Sequence, residues 1–277
     1  MTSRRFTQVD VFPSPRGRGN PLAVVHDGDG LTDDEMQRFA HWTNVSETTF
    51  LVAPTMPGAD YHVRIFTPAE ELPFAGHPTL GTCHAWLEAG GQPKDREVVV
   101  QECGAGLVSV KRDRDRLAFA APPLIKEGPV DEAKVAEIAK WLGIDRSEVQ
   151  DAQWVDNGPG WIAVMLSAPD AVLALRPGAL EQKVGAVAIY PPGGPAAIEL
   201  RAFFSVDGVT REDPVTGSLN ASVAQWLLGA GRLTSPYVAS QGAALGRAGE
   251  VYVTSDPDGT IWIGGATTSI ISGTVEL

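Results

Sequence analysis

The sequence predicts an α+β protein with two similar domains that arose by internal duplication. Short alternating or β-branched segments, typical of strands, recur along the whole chain of 277 residues. Between them, an extended segment with an arginine and aromatic residues leads into a Pro- and Gly-containing corner and then into an apolar helix. This pattern occurs near His77 and again near Asp213, and the double proline Pro122-Pro123 separates the two copies.

The repeated corner is the strongest sign of duplication. Alignment of His77-Pro78 with Asp213-Pro214 gives a repeat of about 136 residues, far too long for a solenoid. In both copies the helix is followed by closely spaced glycines, which commonly end helices. We therefore expect two domains that face each other, residues 1–124 and 125–277, without excluding that the last strand returns to the first domain.

Local signals indicate where several helices begin and end. A capping box formed by Thr32 and Glu35 precedes an approximate apolar stripe and predicts the first helix. The second helix is expected from Pro78, because proline at a first helical position leaves no N–H group unsatisfied. Four helices are expected in the second domain, at residues 130–142, 168–175, 177–183 and 219–228.

The composition argues against several classes of function. A formal net charge of -12 repels nucleic acid, and the basic residues 111–116 are interleaved with acids, as in a solvated turn between two strands. Cys83 and Cys103 match no metal spacing, and the histidines provide no convincing ligand set. No apolar run reaches transmembrane length, and no apolar signal core follows the first residues. We expect a cytoplasmic protein without nucleic-acid, membrane or metal partners.

The two helix starts predict a site for a small acid. Backbone N–H groups and the partial positive charge of a helix start attract anions, so two such starts would hold a carboxylate and stabilise a growing enolate. Glu47, His77 and Asp213 are the candidate acid/base groups. Burial among apolar strand residues would raise the pKa of Glu47 toward neutrality. The alternatives are an exposed strand glutamate, a hydrogen-bonded loop histidine and an N-cap aspartate.

Several motifs together resemble the PhzF-like family, the isomerases named for phenazine biosynthesis. The motifs cover nearly the full chain and lie at residues 19–21, 46–50, 64–68, 71–82, 212–218 and 264–265. The resemblance implies a diaminopimelate-epimerase-like fold, in which each domain is a barrel-like, mostly antiparallel sheet around a central helix. It also implies an active site between the domains, proton transfer without a cofactor, and a homodimer.

The family's functional residues can be carried over position by position. Glu47 matches the catalytic acid/base, and His77 and Asp213 match its polar partners. The substrate-binding positions that match are Ser46, Gly76, Gly217 and Ser218. Epimerases of this fold use a pair of cysteines, whereas the two corners here carry His77 and Asp213, which argues against racemisation by two thiols.

The sequence thus predicts an isomerase or epimerase that moves a proton on a small carboxylate without a cofactor. In this hypothesis Glu47 takes a proton from an acidic carbon and returns it elsewhere. The alternative is a binding or scaffold protein that holds a small acid in the same cleft without chemistry. The identity of the substrate cannot be predicted from these motifs, because specificity depends on the residues that line the pocket.

Overall fold

The structure is a computed structural model that describes residues 2–113, 116–206 and 208–277. Two compact units are present: Met1–Ala120 together with Gly264–Leu277, and Ala121–Ile263. The expected turn within residues 111–116 has its central residues, 114 and 115, outside the described part of the chain. The division into domains at residue 124 stays a prediction.

The first unit is a closed barrel. Its strands are β1 (Ser3–Val11), β2 (Asn20–Val25), β3 (Glu47–Val52), β4 (Tyr61–Phe66), β5 (Glu71–Leu72), β6 (Val98–Cys103), β7 (Gly106–Asp113) and β8 (Arg116–Ala120), with β17 (Ile261–Glu276) entering from the second unit. Among the described residues, eight strands close a ring in the order β1, β2, β3, β4, β6, β7, β8, β17 and back to β1. The pairs β2–β3 and β4–β6 are parallel.

Helix α2 (Gly76–Glu88) runs through this barrel, where strands β1, β2, β3, β6, β7 and β8 contact it. The helix is buried around most of its circumference, which explains why it carries few charges. Gly81 permits the close packing, because a Cβ atom there would lie 2.6 Å from Leu22 Cδ2 and 2.9 Å from Val11 Cγ2. Helix α1 (Asp33–Thr43) packs outside the barrel through Met36 and Phe39.

The second unit repeats the plan with more helices. Its strands are β9 (Lys126–Pro129), β10 (Val149–Asp156), β11 (Ile162–Leu166), β12 (Val184–Ile189), β13 (Ile198–Val206), β14 (Val209–Asp213), β15 (Tyr237–Gln241) and β16 (Gly249–Ser255). Its helices are α3 (Glu132–Leu142), α4 (Pro169–Ala174) and α5 (Gly217–Gly229). The sheet is mostly antiparallel, with parallel pairs β11–β12 and β13–β15. Strands β10 and β16 contact α5, while α3 and α4 bury apolar side chains against strands β10 to β13.

The predicted α+β fold class of two similar halves is confirmed, but the predicted alignment of the halves is wrong. Helix α2 begins at Gly76 instead of Pro78, and α5 begins at Gly217, so the offset between the helix starts is 141 residues. Pro78 is the third helical residue, another position where a missing N–H leaves no bond unmade. The two halves therefore match Pro73 with Pro214 and His77 with Ser218.

Two other local predictions are corrected by the structure. Residues 177–183 were expected to be helical but form an irregular segment that leads into β12. Its backbone is bound by neighbours, since the Gly178 N–H donates to the Trp141 carbonyl and the Leu180 N–H to Thr210 Oγ1. The stretch between the extended segment at residues 199–204 and Asp213 is polar, and its composition predicts a loop; the structure instead has β14 there, which forms a hairpin with β13.

Candidate active site

The start of α2 is built to leave backbone donors available. Its N-cap residue, Ala75, has no side chain that could cap the helix, and no acidic residue lies in the first turn. The surface helices α1 and α3 differ, because Thr32 and Asp131 accept hydrogen bonds from the first-turn N–H groups. The N–H groups of Gly76 and His77 are therefore not occupied by a capping side chain.

Strand β3 brings Glu47 to this helix start. Side chains of a strand alternate between its two faces, so Glu47 and Thr49 share the face that looks at α2. Thr49 confirms this direction, since it accepts a hydrogen bond from Thr82 of α2 at 2.9 Å. Phe50 lies on the opposite face and packs in the cluster beneath α1. Two residues back along the strand from Thr49, Glu47 reaches the first turn of α2.

Glu47 and His77 form the central pair of the first unit. Glu47 Oε2 lies 3.3 Å from His77 Nε2, and the side chains are 15% and 4% exposed, respectively. This separation is slightly longer than an ordinary hydrogen bond of about 2.7–3.2 Å. Catalytic pairs often show such loose geometry before a substrate is bound. The two predicted groups are thus brought together, although their catalytic role stays a prediction.

His77 is held as a neutral ring. Burial lowers its pKa from the usual 6.5 to about 3, and a hydrogen bond to the backbone of Pro21 opposes this shift only in part. Because proline has no N–H, the ring must donate its proton to the Pro21 carbonyl. The second ring nitrogen of neutral His77 is then an acceptor. A ring of this kind can orient a polar group without adding positive charge to the site.

Asn20 is a neighbour of the pair to which the sequence motifs assign no function. It is fully buried, and its Nδ2 lies 3.4 Å from His77 Nδ1. The same tripeptide, residues 19–21, supplies the Pro21 carbonyl that receives the ring proton. The motif was visible in the sequence, but its contact with His77 depends on the pairing of β1 with β2, which folds that hairpin against α2.

The second unit has a similar corner with a different polar group. Asp213 ends β14, and its Oδ2 accepts a hydrogen bond from Thr216 Oγ1 at 2.6 Å. Thr216 is the N-cap residue of α5, yet its side chain makes no capping bond. Gly217 and Ser218 are the first two residues of the helix, and no acidic residue lies in its first turn. The α5 start therefore also lacks a capping side chain.

Ser218 is fixed by the turn between β10 and β11. Its Oγ accepts a hydrogen bond from Trp161 Nε1 at 3.1 Å, and its carbonyl accepts one from Asn157 Nδ2 at 2.9 Å. Residues 157–160 are Asn-Gly-Pro-Gly, a composition that indicates a turn but not its contact with α5. These bonds hold the first turn of the helix in place and leave the Ser218 hydroxyl hydrogen to point elsewhere.

The remaining predicted position, Ser46, lies in the bend that precedes β3 and is half-buried. Within residues 2–113, 116–206 and 208–277, no three His, Cys, Asp or Glu side chains form a group that could hold a metal ion. Over the same residues, the structure contains no helix long and apolar enough to span a membrane. Cys83 and Cys103 are both buried free thiols, and burial raises the pKa of Cys83 to about 12.

Comparison with known proteins places the chain in a family. Residues 9–273 match the family model of phenazine biosynthesis-like proteins. Antisense-enhancing sequence 1 of Schizosaccharomyces pombe is 37% identical, with 99% of each chain covered. Trans-2,3-dihydro-3-hydroxyanthranilate isomerase of Pseudomonas fluorescens is 34% identical, with 87% of each chain covered.

The fold of a solved structure agrees with these sequence matches. The phenazine biosynthesis protein of the PhzF family from Bacillus anthracis superposes with a TM-score of 0.84 at 23% identity, over 100% of both chains. This likeness supports the diaminopimelate-epimerase-like fold that the resemblance implied. The chain is therefore an isomerase, and it belongs to the family of phenazine biosynthesis-like, or PhzF, proteins.

Proposed function

We propose that the protein isomerises a small unsaturated carboxylate by moving a proton, with Glu47 as the proton carrier and without a cofactor. The observation that carries the proposal is the contact of Glu47 Oε2 with His77 Nε2 at 3.3 Å, beside a helix start without a capping side chain. Glu47 is 15% exposed, so it combines a low-dielectric setting with access for a substrate.

The proposed reaction needs no net gain or loss of electrons. Glu47 removes a proton from an acidic carbon, and the electron pair left behind delocalises toward the carboxylate of the substrate. The N–H groups of Gly76 and His77 stabilise that charge, because they are fixed donors at the positive end of α2. Glu47 then returns the proton to a different carbon. The acceptor nitrogen of neutral His77 receives a hydrogen bond from a polar group of the substrate, or from Glu47 while Glu47 carries the proton.

The corner of the second unit is part of the same proposal. Asp213 would act as a second polar partner, and the backbone of Gly217 and Ser218 as a second anion-binding segment. The location of the substrate between the domains rests on the duplicated corners and on the family resemblance, and the homodimer rests on the resemblance alone. The cytoplasmic location rests on the sequence signals described above. The choice of a carboxylate substrate follows from the two uncapped helix starts, which favour an anion.

The probe for this proposal is trans-2,3-dihydro-3-hydroxyanthranilate, the compound named for the Pseudomonas fluorescens relative. We expect the wild-type protein to isomerise it or a related small unsaturated carboxylate, and Glu47→Gln to reduce kcat by about 10²- to 10⁴-fold, the usual contribution of a general acid/base. Glu127→Gln, at an exposed position of β9, is the matched control.

The outcomes separate the enzyme from a binding protein. Turnover by the wild-type protein and the Glu127→Gln variant, together with turnover by Glu47→Gln that is slower by about 10²-fold or more, supports the proposal. Full activity of Glu47→Gln would remove Glu47 from the mechanism. Ligand-dependent melting of the wild-type protein by such acids, without turnover of any of them, would support a small-acid-binding protein instead.

A further inference from the structure

A buried glutamine links three parts of the second-unit corner. Gln241, the last residue of β15, is fully buried and makes four hydrogen bonds with its amide group. Its Oε1 accepts from Thr216 N at 3.0 Å and from Asn220 Nδ2 at 2.9 Å. Its Nε2 donates to the Asp213 carbonyl at 3.1 Å and to Thr216 Oγ1 at 2.9 Å.

Backbone groups fix the orientation of this amide. The Thr216 N–H can only donate, so the group that faces it must be the oxygen Oε1. The Asp213 carbonyl can only accept, so the group that faces it must be Nε2. Asn220 is oriented in the same way, because its Nδ2 also donates to the Thr216 carbonyl at 2.9 Å. The direction of every bond in the network follows from these backbone contacts.

The Thr216 hydroxyl connects the oriented amide of Gln241 to the Asp213 carboxylate. Its oxygen accepts the N–H of Gln241, so its single hydrogen is free to be donated, and it goes to Asp213 Oδ2 at 2.6 Å. A threonine at an N-cap position normally accepts from a first-turn N–H of its helix. Here the hydroxyl lacks that contact and serves the carboxylate. Helix α5 therefore lacks a capping bond from Thr216, and the Asp213 carboxylate has a fixed donor instead.

The matching glutamine of the first unit has no such connection. Gln101 donates to Thr79 Oγ1 at 2.9 Å and accepts from the Tyr61 hydroxyl at 3.0 Å. The N-cap residue there is Ala75, which has no hydroxyl, and the counterpart of Asp213 is Leu72. The buried glutamine is therefore common to both units, while its link to a carboxylate occurs at the corner that carries an acid.

We propose that Gln241 is a positioning residue that acts through the Thr216 hydroxyl to hold the Asp213 carboxylate as an acceptor in one orientation. This inference rests on the proposed function, in which Asp213 contacts the substrate. Two glycines allow the backbone next to the network to pack closely. Gly242 has φ of 96°, and a Cβ atom there would lie 2.6 Å from the Pro214 carbonyl oxygen, while one at Gly249 would lie 2.3 Å from Val215 Cγ2.

The kinetic test compares variants of Thr216 on trans-2,3-dihydro-3-hydroxyanthranilate. Thr216→Val removes the hydroxyl but keeps the shape, and we expect kcat to fall roughly 10- to 100-fold with KM little changed, since the carboxylate loses its alignment. Thr216→Ser restores a hydroxyl and is expected to restore kcat. Addition of Gln241→Glu to Thr216→Val should reduce kcat no further, because both changes break one chain of bonds.

Gln101→Glu is the matched control, because it buries a carboxylate at the equivalent place of the first unit. We expect it to lower the melting temperature but to leave kcat of the folded protein unchanged. Asp213→Asn separates the two proposals. If Asp213→Asn is fully active, the role of Asp213 in the proposed function is wrong. If Asp213→Asn is inactive and Thr216→Val is fully active, the positioning inference is wrong and the proposed function stands.

Crystal structures of Thr216→Val and Gln241→Glu test the inference without any substrate. The carboxylate introduced by Gln241→Glu cannot donate to Thr216, so we expect the Thr216 hydroxyl to turn toward it and the Asp213 carboxylate to leave its original position. In Thr216→Val the Asp213 carboxylate should also move or become disordered. An Asp213 carboxylate that keeps the wild-type orientation in both variants would overturn the inference, whatever the activity.

Discussion

The starts of α2 and α5 both follow an extended N-cap residue whose side chain makes no capping bond. They differ in the positions of their polar side chains. In the first unit the imidazole of His77 stands inside the helix, at its second residue, and Leu72 precedes the corner. In the second unit the helix has Ser218 at that position, and the acid, Asp213, precedes the corner. The titratable side chains of the two corners, His77 and Asp213, thus occupy positions that are not equivalent in the duplication.

Each corner is supported by an arginine–glutamate pair, which we call its arginine brace. The two braces differ in burial. Arg64 bonds Glu71 through Nε and Nη2 and lies over Phe66, and Arg201 bonds Glu212 in the same manner. The Arg64 side chain is 22% exposed, whereas the Arg201 and Glu212 side chains are 5% and 10% exposed. The duplication preserved the support of the hairpin and changed the polar residues that the hairpin presents.

The largest expected effect comes from giving each corner the residue of its counterpart. His77→Ser and Asp213→Leu should each reduce kcat by about 10²- to 10⁴-fold, because each removes a polar group that its own corner alone supplies. The measurement is the isomerisation rate of the probe compound at saturating concentration. His41→Ser, at an exposed position of α1, is the control. Wild-type kcat in either corner variant would mean that the difference between the corners has no catalytic meaning.

The two arginine braces should differ in their contribution to stability. Arg201→Leu leaves Glu212 buried without its partner, and we expect the free energy of unfolding to fall by about 3–5 kcal/mol. Arg64→Leu breaks two more exposed pairs, with Glu71 and with Asp33, and should lower the free energy of unfolding by only about 1 kcal/mol. Urea denaturation of the two variants checks the difference. Equal losses would show that burial does not distinguish the braces.

The neutral His77 ring predicts a dependence of stability on pH. Its folded pKa of about 3 lies below the unfolded value of 6.5, so the unfolded chain binds a proton first as the pH falls. The contribution of His77 to the free energy of unfolding is therefore fully present above pH 6.5 and is lost progressively toward pH 3. Between pH 6.5 and pH 4 the loss should amount to about 3 kcal/mol. His77→Asn should lack this contribution, and parallel pH curves for the two proteins would contradict it.

The smallest effect concerns the missing cap of α2. Ala75→Ser introduces a hydroxyl that can accept from the N–H of His77, and it should raise the free energy of unfolding by about 0.5–1 kcal/mol. The same bond would occupy a donor that the proposed mechanism uses, so KM for the probe should rise. Thermal denaturation and steady-state kinetics are the two measurements. A stabilised variant with unchanged KM would show that this N–H does not bind the substrate.

The sequence was informative where local pattern determines structure. The period-two alternation of strand β3 is sufficient to separate Glu47 from Phe50, and the Gly- and Pro-rich corners marked both buried helix starts. The alignment of the corners was wrong because the first corner contains two prolines, Pro73 and Pro78, and either could match Pro214. Only the position of the helix start, which depends on the backbone of Ala75, decides between them.

The contacts that surround each helix start could not be predicted from the sequence. Gln241 lies 25 residues beyond Thr216 and meets it only because β15 pairs in parallel with β13 and thereby ends at the α5 start. Asn20 likewise reaches His77 through the packing of α2 against the first hairpin. Such contacts are set by tertiary packing, and no local period or spacing in the chain reveals them.

The central claim is that Glu47 carries the proton, and its most direct test is transfer of deuterium from solvent. The wild-type protein, incubated with trans-2,3-dihydro-3-hydroxyanthranilate in D₂O, should give product with deuterium at the newly protonated carbon when Glu47 exchanges with solvent. Glu47→Gln should form product about 10²- to 10⁴-fold more slowly and should not deuterate the substrate, while Glu127→Gln should match the wild type. Deuterated product formed by Glu47→Gln at the wild-type rate would contradict the account.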